Sequence, residues 1–339
     1  VVADLYDGFL SAEDRAGVKA PDKGVVAPLV KWGSPASGPY TWPSDSTSEY
    51  GALAGVVSLP PSHARTGLVG WSAIGHETAG HDVLHADDGL LLEIKTKVRA
   101  ALEAAKLGGG LAEYWSERID ETASDVLGIL NMGPAAAVGV IAYFRGFSAG
   151  KKLSTVGAAN DEHPADIVRG WLGAETVRLL SFKARDGWAA ALTAETDADA
   201  AGKNIRLAGE TLTRKQAIDS AAVVARTLVR APLAALEGRA LGQIQDWRDK
   251  DEAIVGRIRP SLRTNAKARQ YREVRGHYAA HVVAAAVYEA IRTPAADVAA
   301  IHGRMLTVLG KMHRANPAWG PNFLSRFGGV ERHVLHVLR

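Results

Sequence analysis

The chain contains no cysteine among its 339 residues. Disulfides, thiolate metal sites and a cysteine nucleophile are therefore excluded, and any bound metal must rest on His, Asp and Glu. Without a thiol, the sequence is also silent on redox compartment. Long hydrophobic runs are missing: the longest apolar stretch, Ala135 to Phe144, is too short to span a bilayer. An excess of one charge is missing too, since 40 basic residues face 37 acidic ones for a formal net charge of +3. No Lys/Arg cluster marks a nucleic-acid surface. These absences set aside nucleic acid as a partner and a membrane span, and the expectation is a soluble protein. The first residue is Val1, and a leader removed ahead of it would fit a secreted or periplasmic protein.

What is present is an apolar fraction of 47 % with 23 % charged residues, the balance of a globular chain that can bury a sizeable core. Residues 1–70 read as an irregular, β-containing segment. An opening helix runs from Val2 to Asp14, and 21–62 is rich in Pro, Gly and Ser. The stretch Trp32–Gly51 is turn chemistry throughout. The runs ALAGVVSLP and TGLVGW read as short strands or extended edges. From Ser72 onward, apolar residues recur at spacings of three and four, which predicts helices near 73–86, 90–106, 110–131, 135–147, 164–180, 185–195, 211–236, 240–255, 266–292 and 295–313. The expected fold is mainly α, with a small irregular or β N-terminal part. Helices that carry the site are expected over 71–150 and a helical C-terminal part over 151–339, with a soft boundary near 150–160. The aromatic, Gly/Pro-rich tail Asn316–Gly329 is expected to pack as an ordered loop.

The informative stretch is Gly75-His76-Glu77-Thr78-Ala79-Gly80-His81-Asp82-Val83-Leu84-His85. The familiar zinc helix carries two His at i and i+4 with Glu after the first. Here His76 and His81 stand at i and i+5, which puts them about 140° apart on an ideal helix. They could meet one metal only if the turn held an extra residue, as in a π-bulge, and Gly80 makes that distortion cheap. His81 and His85, at i and i+4, need no distortion and form a competing pair. A second stretch, Glu117 to Asp125, stacks Glu117, Glu121 and Asp125 at i, i+4 and i+8 on the expected helix. Like charges at that spacing repel. The helix then enters the apolar Val126–Leu130, so the acidic stripe asks for a cation.

Together the two motifs resemble the dipeptidyl peptidase III family of zinc peptidases, of the gluzincin type, which carries His-Glu-x-x-Gly-His and, on a later helix, Glu-Glu-x-x-Ala-Asp/Glu. Here the first reads HETAGH, His76–His81, and the second reads DETASD, Asp120–Asp125, with Asp120 and Ser124 departing from the pattern. The match covers those two six-residue motifs. The resemblance implies a helical zincin-like domain and one zinc per chain on His76, His81 and Glu121, with Glu77 as the general base that activates a water. It implies Asp120 and Asp125 as acceptors behind the two ligand imidazoles. Three protein ligands and an open position suit catalytic zinc.

A further donor for a developing oxyanion is sought in His163, ahead of Pro164 and a helix bearing Arg169, and in Tyr278. Alternatively, His163 is a helix-cap residue at Pro164. His277 and His281 could form a second metal pair, but a plain polar helix face is the simpler reading. His85 is expected behind the ligands or facing substrate. Trp71, Trp115 and Trp171 are expected in the core or the cleft wall, and Arg118 is expected to steady the acidic helix. The sequence therefore points to a zinc metallopeptidase acting on a peptide or protein substrate. The alternatives are a non-catalytic metal-binding or interaction domain and a zinc amidohydrolase acting on a non-peptide amide.

Overall fold

A computed structural model of the chain describes residues 1–10, 17–23, 26–34, 36–51, 54–272 and 276–315. The first helix, α1, spans Val2–Leu10; the end of its expected range, 11–14, and the tail 316–329 lie outside the described residues. Three short strands follow: β1 Leu29–Trp32, β2 Tyr40–Trp42 and β3 Val56–Leu59. Their order is β1-β3-β2. β3 runs parallel to β1, with Leu29 opposite Val56, and antiparallel to β2, with Tyr40 opposite Ser58. This makes β2 an edge strand, and α2, Ser44–Ser48, follows it directly. The turn reading of Trp32–Gly51 is therefore corrected. A three-residue strand is shorter than any periodic window can register, and its pairing with distant β3 decides its shape.

Beyond α3, Ser62–Arg65, the run expected as extended chain is helical: α4 covers Leu68–Ile74. A short apolar run broken by glycines has no period that separates helix from strand, and packing against a later helix settles the matter. α4 continues into a π-helix, Gly75–Asp82, which supplies the extra residue per turn that the histidine spacing requires. Next, α5 spans Leu90–Ala105, with Leu90, Ile94, Val98 and Leu102 on its buried stripe. The single helix expected over 110–131 is two, α6 Leu111–Glu117 and α7 Ile119–Met132, broken at Arg118. The buried Arg118 side chain donates to the carbonyls of Tyr114, Ala158 and Ala159, which ties the break to the 158–159 loop. Glu117 therefore leaves the acidic stripe and is exposed, while Glu121 and Asp125 remain together on α7. α8, Pro134–Phe147, opens on a proline in its first turn.

A second three-stranded sheet, absent from the sequence expectation, joins β4 Val156–Gly157, β5 Ile205–Leu207 and β6 Glu210–Leu212 in that order. Between its strands lie α9 Asp166–Arg178 and α10 Arg185–Ala200. α11, Arg214–Arg230, starts at a Thr213/Gln216 capping box, so the helix expected from 211 begins only after a strand. The long helices expected over 240–255 and 266–292 are each divided, into α12 Leu241–Ile244 with α13 Asp249–Ile258, and α14 Asn265–Gln270 with α15 Ala279–Ala290. α16, Val298–Ala315, completes the described chain. The fold is mainly α, as expected. One apolar core runs from Val2 to Met312, with Trp115 and Trp171 fully buried in it and Trp71 packed at its margin. Among the described residues no helix is long and apolar enough to cross a membrane.

Candidate metal centre

The centre forms where the π-helix packs on α7. The two backbones approach unusually closely: a Cβ on Gly80 would lie 2.4 Å from Ser124 Cβ, and one on Gly128 would lie 3.1 Å from the His76 amide nitrogen. Glycine at both positions lets the carboxylate of Glu121 reach the histidines. His76 Nε2 and His81 Nε2 face each other at 3.1 Å. Glu121 stands 3.3 Å from the first through Oε2 and 3.4 Å from the second through Oε1. One donor atom from each of the three lies within 4.8 Å of the other two.

Behind this trio each imidazole is held by an acid. His76 Nδ1 meets Asp125 Oδ1 at 2.9 Å, and His81 Nδ1 meets Asp120 Oδ1 at 2.8 Å. Each of those carboxylates accepts a hydrogen bond from Nδ1–H, which turns the Nε2 edges of both rings toward the shared point. Burial opposes charge on His76, but Glu121 and Asp125 outweigh it and raise its pKa to about 9. His81 moves the same way, with Asp120 and Glu121 overcoming burial. The carboxyl of Glu121 is held far below its ordinary range by His76, His81 and Arg169, against the effect of burial. Two imidazole nitrogens and a carboxylate oxygen within 4.8 Å of one another are a donor set that could hold a metal ion.

Arg169 on α9 supplies a fixed positive charge from behind. It is 4 % exposed and forms a two-pronged pair with Asp125, at 2.7 and 2.8 Å. One of those prongs, Nη2, also lies 3.6 Å from Glu121 Oε2. Glu77, also buried, projects into the same cleft, and Thr41 Oγ1 on β2 donates to its Oε2 at 2.7 Å. The cleft has a volume of about 760 Å³ and is bordered by Tyr40 and Thr41 of β2 on one side and by Tyr143 and Phe144 of α8 on another.

His163 reaches the cleft, 3.4 Å from Glu121 through Nε2, with its Nδ1 against Asp161 at 3.1 Å. It is not a helix cap, since α9 starts at Asp166 with Ala165 in the cap position. His85 is not part of the trio. Its Nδ1 meets Asp45 at 2.7 Å and its Nε2 meets Asp120 at 2.9 Å. Tyr278 is not among the cleft residues. It precedes α15 with its ring against His281, which removes it as a candidate donor there. His281 is committed to Asp251 at 3.0 Å, a partner distant in sequence, and His277 to Tyr271. Neither belongs to a metal-binding group among the described residues.

Four participants escaped the sequence reading in these roles: Arg169, Thr41, Asp45 and Tyr143. Arg169 lies far along the chain from its partner Asp125, and Thr41 and Asp45 sit in a stretch that reads as turns. Tyr143 lies in an apolar run that reads as core, yet its half-buried ring lines the cleft close enough to Glu77 for that acid, after burial, to raise its pKa. Comparison of the chain with protein-family models finds no match, and comparisons with curated proteins and with solved structures find none either.

Proposed function

We propose that the chain is a zinc-dependent hydrolase, and specifically a peptidase, with one zinc per chain on His76, His81 and Glu121. The observation that carries this reading is the convergence of three donor atoms within 4.8 Å, with both Nδ1 atoms already committed to Asp125 and Asp120. A purely structural site has no use for the unliganded carboxylate of Glu77 beside it, which favours turnover over simple metal binding.

Bound zinc would supply a Lewis acid and a water whose pKa falls to about 7. Glu77 would serve as the general base, taking a proton from the attacking water and returning it to the leaving amine. Thr41, donating to Oε2, fixes the orientation of the Glu77 carboxylate and leaves Oε1 for the proton. Water activated at Glu77 forms a bond to the scissile carbonyl carbon, and the C–N bond then breaks as the amine takes the proton. His163 and Tyr143 both line the cleft, and either would donate a hydrogen bond to the carbonyl oxygen as it gains charge. The edge of β2 borders the cleft and offers backbone groups for an extended peptide to pair with.

The test is metal analysis of the purified protein beside a peptide-library cleavage assay, with a chelated control and a Glu77→Gln variant. Chelator-sensitive cleavage that Glu77→Gln abolishes without loss of metal upholds the reading. A variant that cleaves at the wild-type rate removes Glu77 from the mechanism, and a protein that holds zinc but cleaves nothing leaves only a metal-binding domain.

A further inference from the structure

His85 lies in the turn after the π-helix, outside the three ligating residues, and is nevertheless fixed at both ring nitrogens. Nδ1 stands 2.7 Å from Asp45 Oδ2 and Nε2 stands 2.9 Å from Asp120 Oδ2. A carboxylate can only accept, so both ring nitrogens donate and the ring bridges the two acids as a cation. The His85 side chain is 20 % exposed, and the two acids it bridges are 36 and 37 % exposed, so the bridge is partly open to solvent. Each acid is also committed at its other oxygen. Asp120 Oδ1 receives His81 Nδ1 at 2.8 Å, and Asp45 Oδ1 receives the Ser46 amide at 2.7 Å. A continuous chain of hydrogen bonds therefore runs from the first turn of α2 through Asp45, His85 and Asp120 to His81. The same wall, residues 40–48, carries Thr41, whose hydroxyl holds Glu77. One segment thus touches both functional halves of the cleft, the general base through Thr41 and a ligand imidazole through Asp45.

We propose that His85 is a positioning residue that pins the 40–48 wall to the ligand helices, Asp45 acting through it on Asp120 and so on the ring of His81. The second half of this statement rests on the zinc reading above; the first half does not. Without the bridge, Asp120 loses the donor that fixes its far oxygen and can rotate away from His81, while the wall keeps its Thr41–Glu77 contact but loses its second tie to the ligand helices, the one at Asp45. Partners that orient a ligand histidine are typically worth 10–100-fold in metal affinity. A residue acting one bond further out belongs at the low end, about tenfold.

Two variants test this, His85→Ala and Asp45→Ala, which removes the acceptor of His85 Nδ1, in the full chain. Amide hydrogen exchange over 40–48, read by mass spectrometry without added metal, should be several-fold faster in both. The zinc dissociation constant, from competition with a chromophoric chelator, should rise about tenfold in both, and the double variant should be no weaker than His85→Ala alone, because the two changes break one bridge. Unchanged exchange over 40–48 overturns the pinning role, whether or not the chain takes up metal. Faster exchange with unchanged zinc affinity overturns the action on His81, as do additive losses in the double variant. A wild-type chain that takes up no zinc overturns the zinc reading and the action on His81 with it, and the exchange data then decide the pinning role by themselves.

Discussion

Replacing Gly80 by alanine perturbs the site without touching any group that does chemistry. The added methyl would sit 2.4 Å from Ser124 Cβ and 2.5 Å from Ser124 Cα. Carbon atoms in contact prefer about 3.5–4.0 Å, so the π-helix and α7 must part by an ångström or more at this level. Ser124 cannot yield by rotating, because one of the two clashing atoms is backbone. Such overpacking costs about 1–3 kcal/mol. That corresponds to a melting temperature lower by about 2–4 °C per kcal/mol for a chain of 150–250 residues, and somewhat less for this one. The larger effect is on geometry. His81 follows Gly80, and Glu121 precedes Ser124 by less than one turn, so separating the helices moves ligands on opposite sides of the same point. Metal–ligand distances tolerate only about ±0.2 Å. Gly80→Ala should therefore remain folded, melt a few degrees lower and lose tight zinc binding, as read by scanning calorimetry and chelator competition on one preparation. A variant that melts as expected but binds zinc like the wild type would refute the claim that this close approach sets the ligand geometry.

Tyr143→Phe and His163→Ala each remove a donor from the cleft. Each should lower kcat about a hundredfold or more with little change in KM and none in metal content, if that side chain stabilises the oxyanion; a wild-type kcat eliminates the residue concerned. Arg169→Met leaves Asp125 buried with His76 as its remaining charged partner, and loss of one member of a buried pair costs about 3–5 kcal/mol, measurable by urea unfolding. Asp125 has a pKa lowered by Arg169 and His76 against burial, so it contributes stability present above its unfolded value of about 3.9 and lost as the pH falls through the folded value. Arg169→Met should accordingly flatten the acid limb of the stability–pH curve, and an unaltered limb would contradict the assignment. In the metal-free protein the opposite sign applies to His76: with a pKa raised to about 9, its charged form contributes stability fully present below the unfolded pKa of about 6.5 and lost as pH rises through 9. Zinc must displace that proton, so uptake at pH 7 should release at least one proton per chain, seen as a buffer-dependent heat in calorimetry; buffer-independent heat would contradict the coupling.

The sequence made one part of the site legible for a physical reason: local spacing constrains local geometry. The i, i+5 histidines demanded an extra residue in the turn, and the π-helix over Gly75–Asp82 provides it. Asp120, Glu121 and Asp125 share one helix and come to the histidines together. Features set by distant packing were hidden. Arg169 finds Asp125 only because α9 folds back on α7, and the break at Arg118 depends on carbonyls forty residues onward. Thr41 and Asp45 lie among Pro, Ser and Gly, where composition announces a turn and says nothing of the cleft it borders. The strands of the second sheet span two or three residues each, too few for alternation to show. Glu117 illustrates the opposite error, where a regular spacing was extended across a helix that in fact ends there.

The measurement that bears most directly on the central claim is zinc stoichiometry and affinity in five proteins purified without chelator: the wild type, His76→Ala, His81→Ala, Glu121→Ala and His85→Ala. The wild type should carry one zinc per chain, each ligand variant should lose it while keeping a folded helical spectrum, and His85→Ala should retain one zinc with weakened affinity. A wild type without transition metal, or His76→Ala and Glu121→Ala variants at full occupancy, would contradict the assignment of His76, His81 and Glu121 as the zinc site.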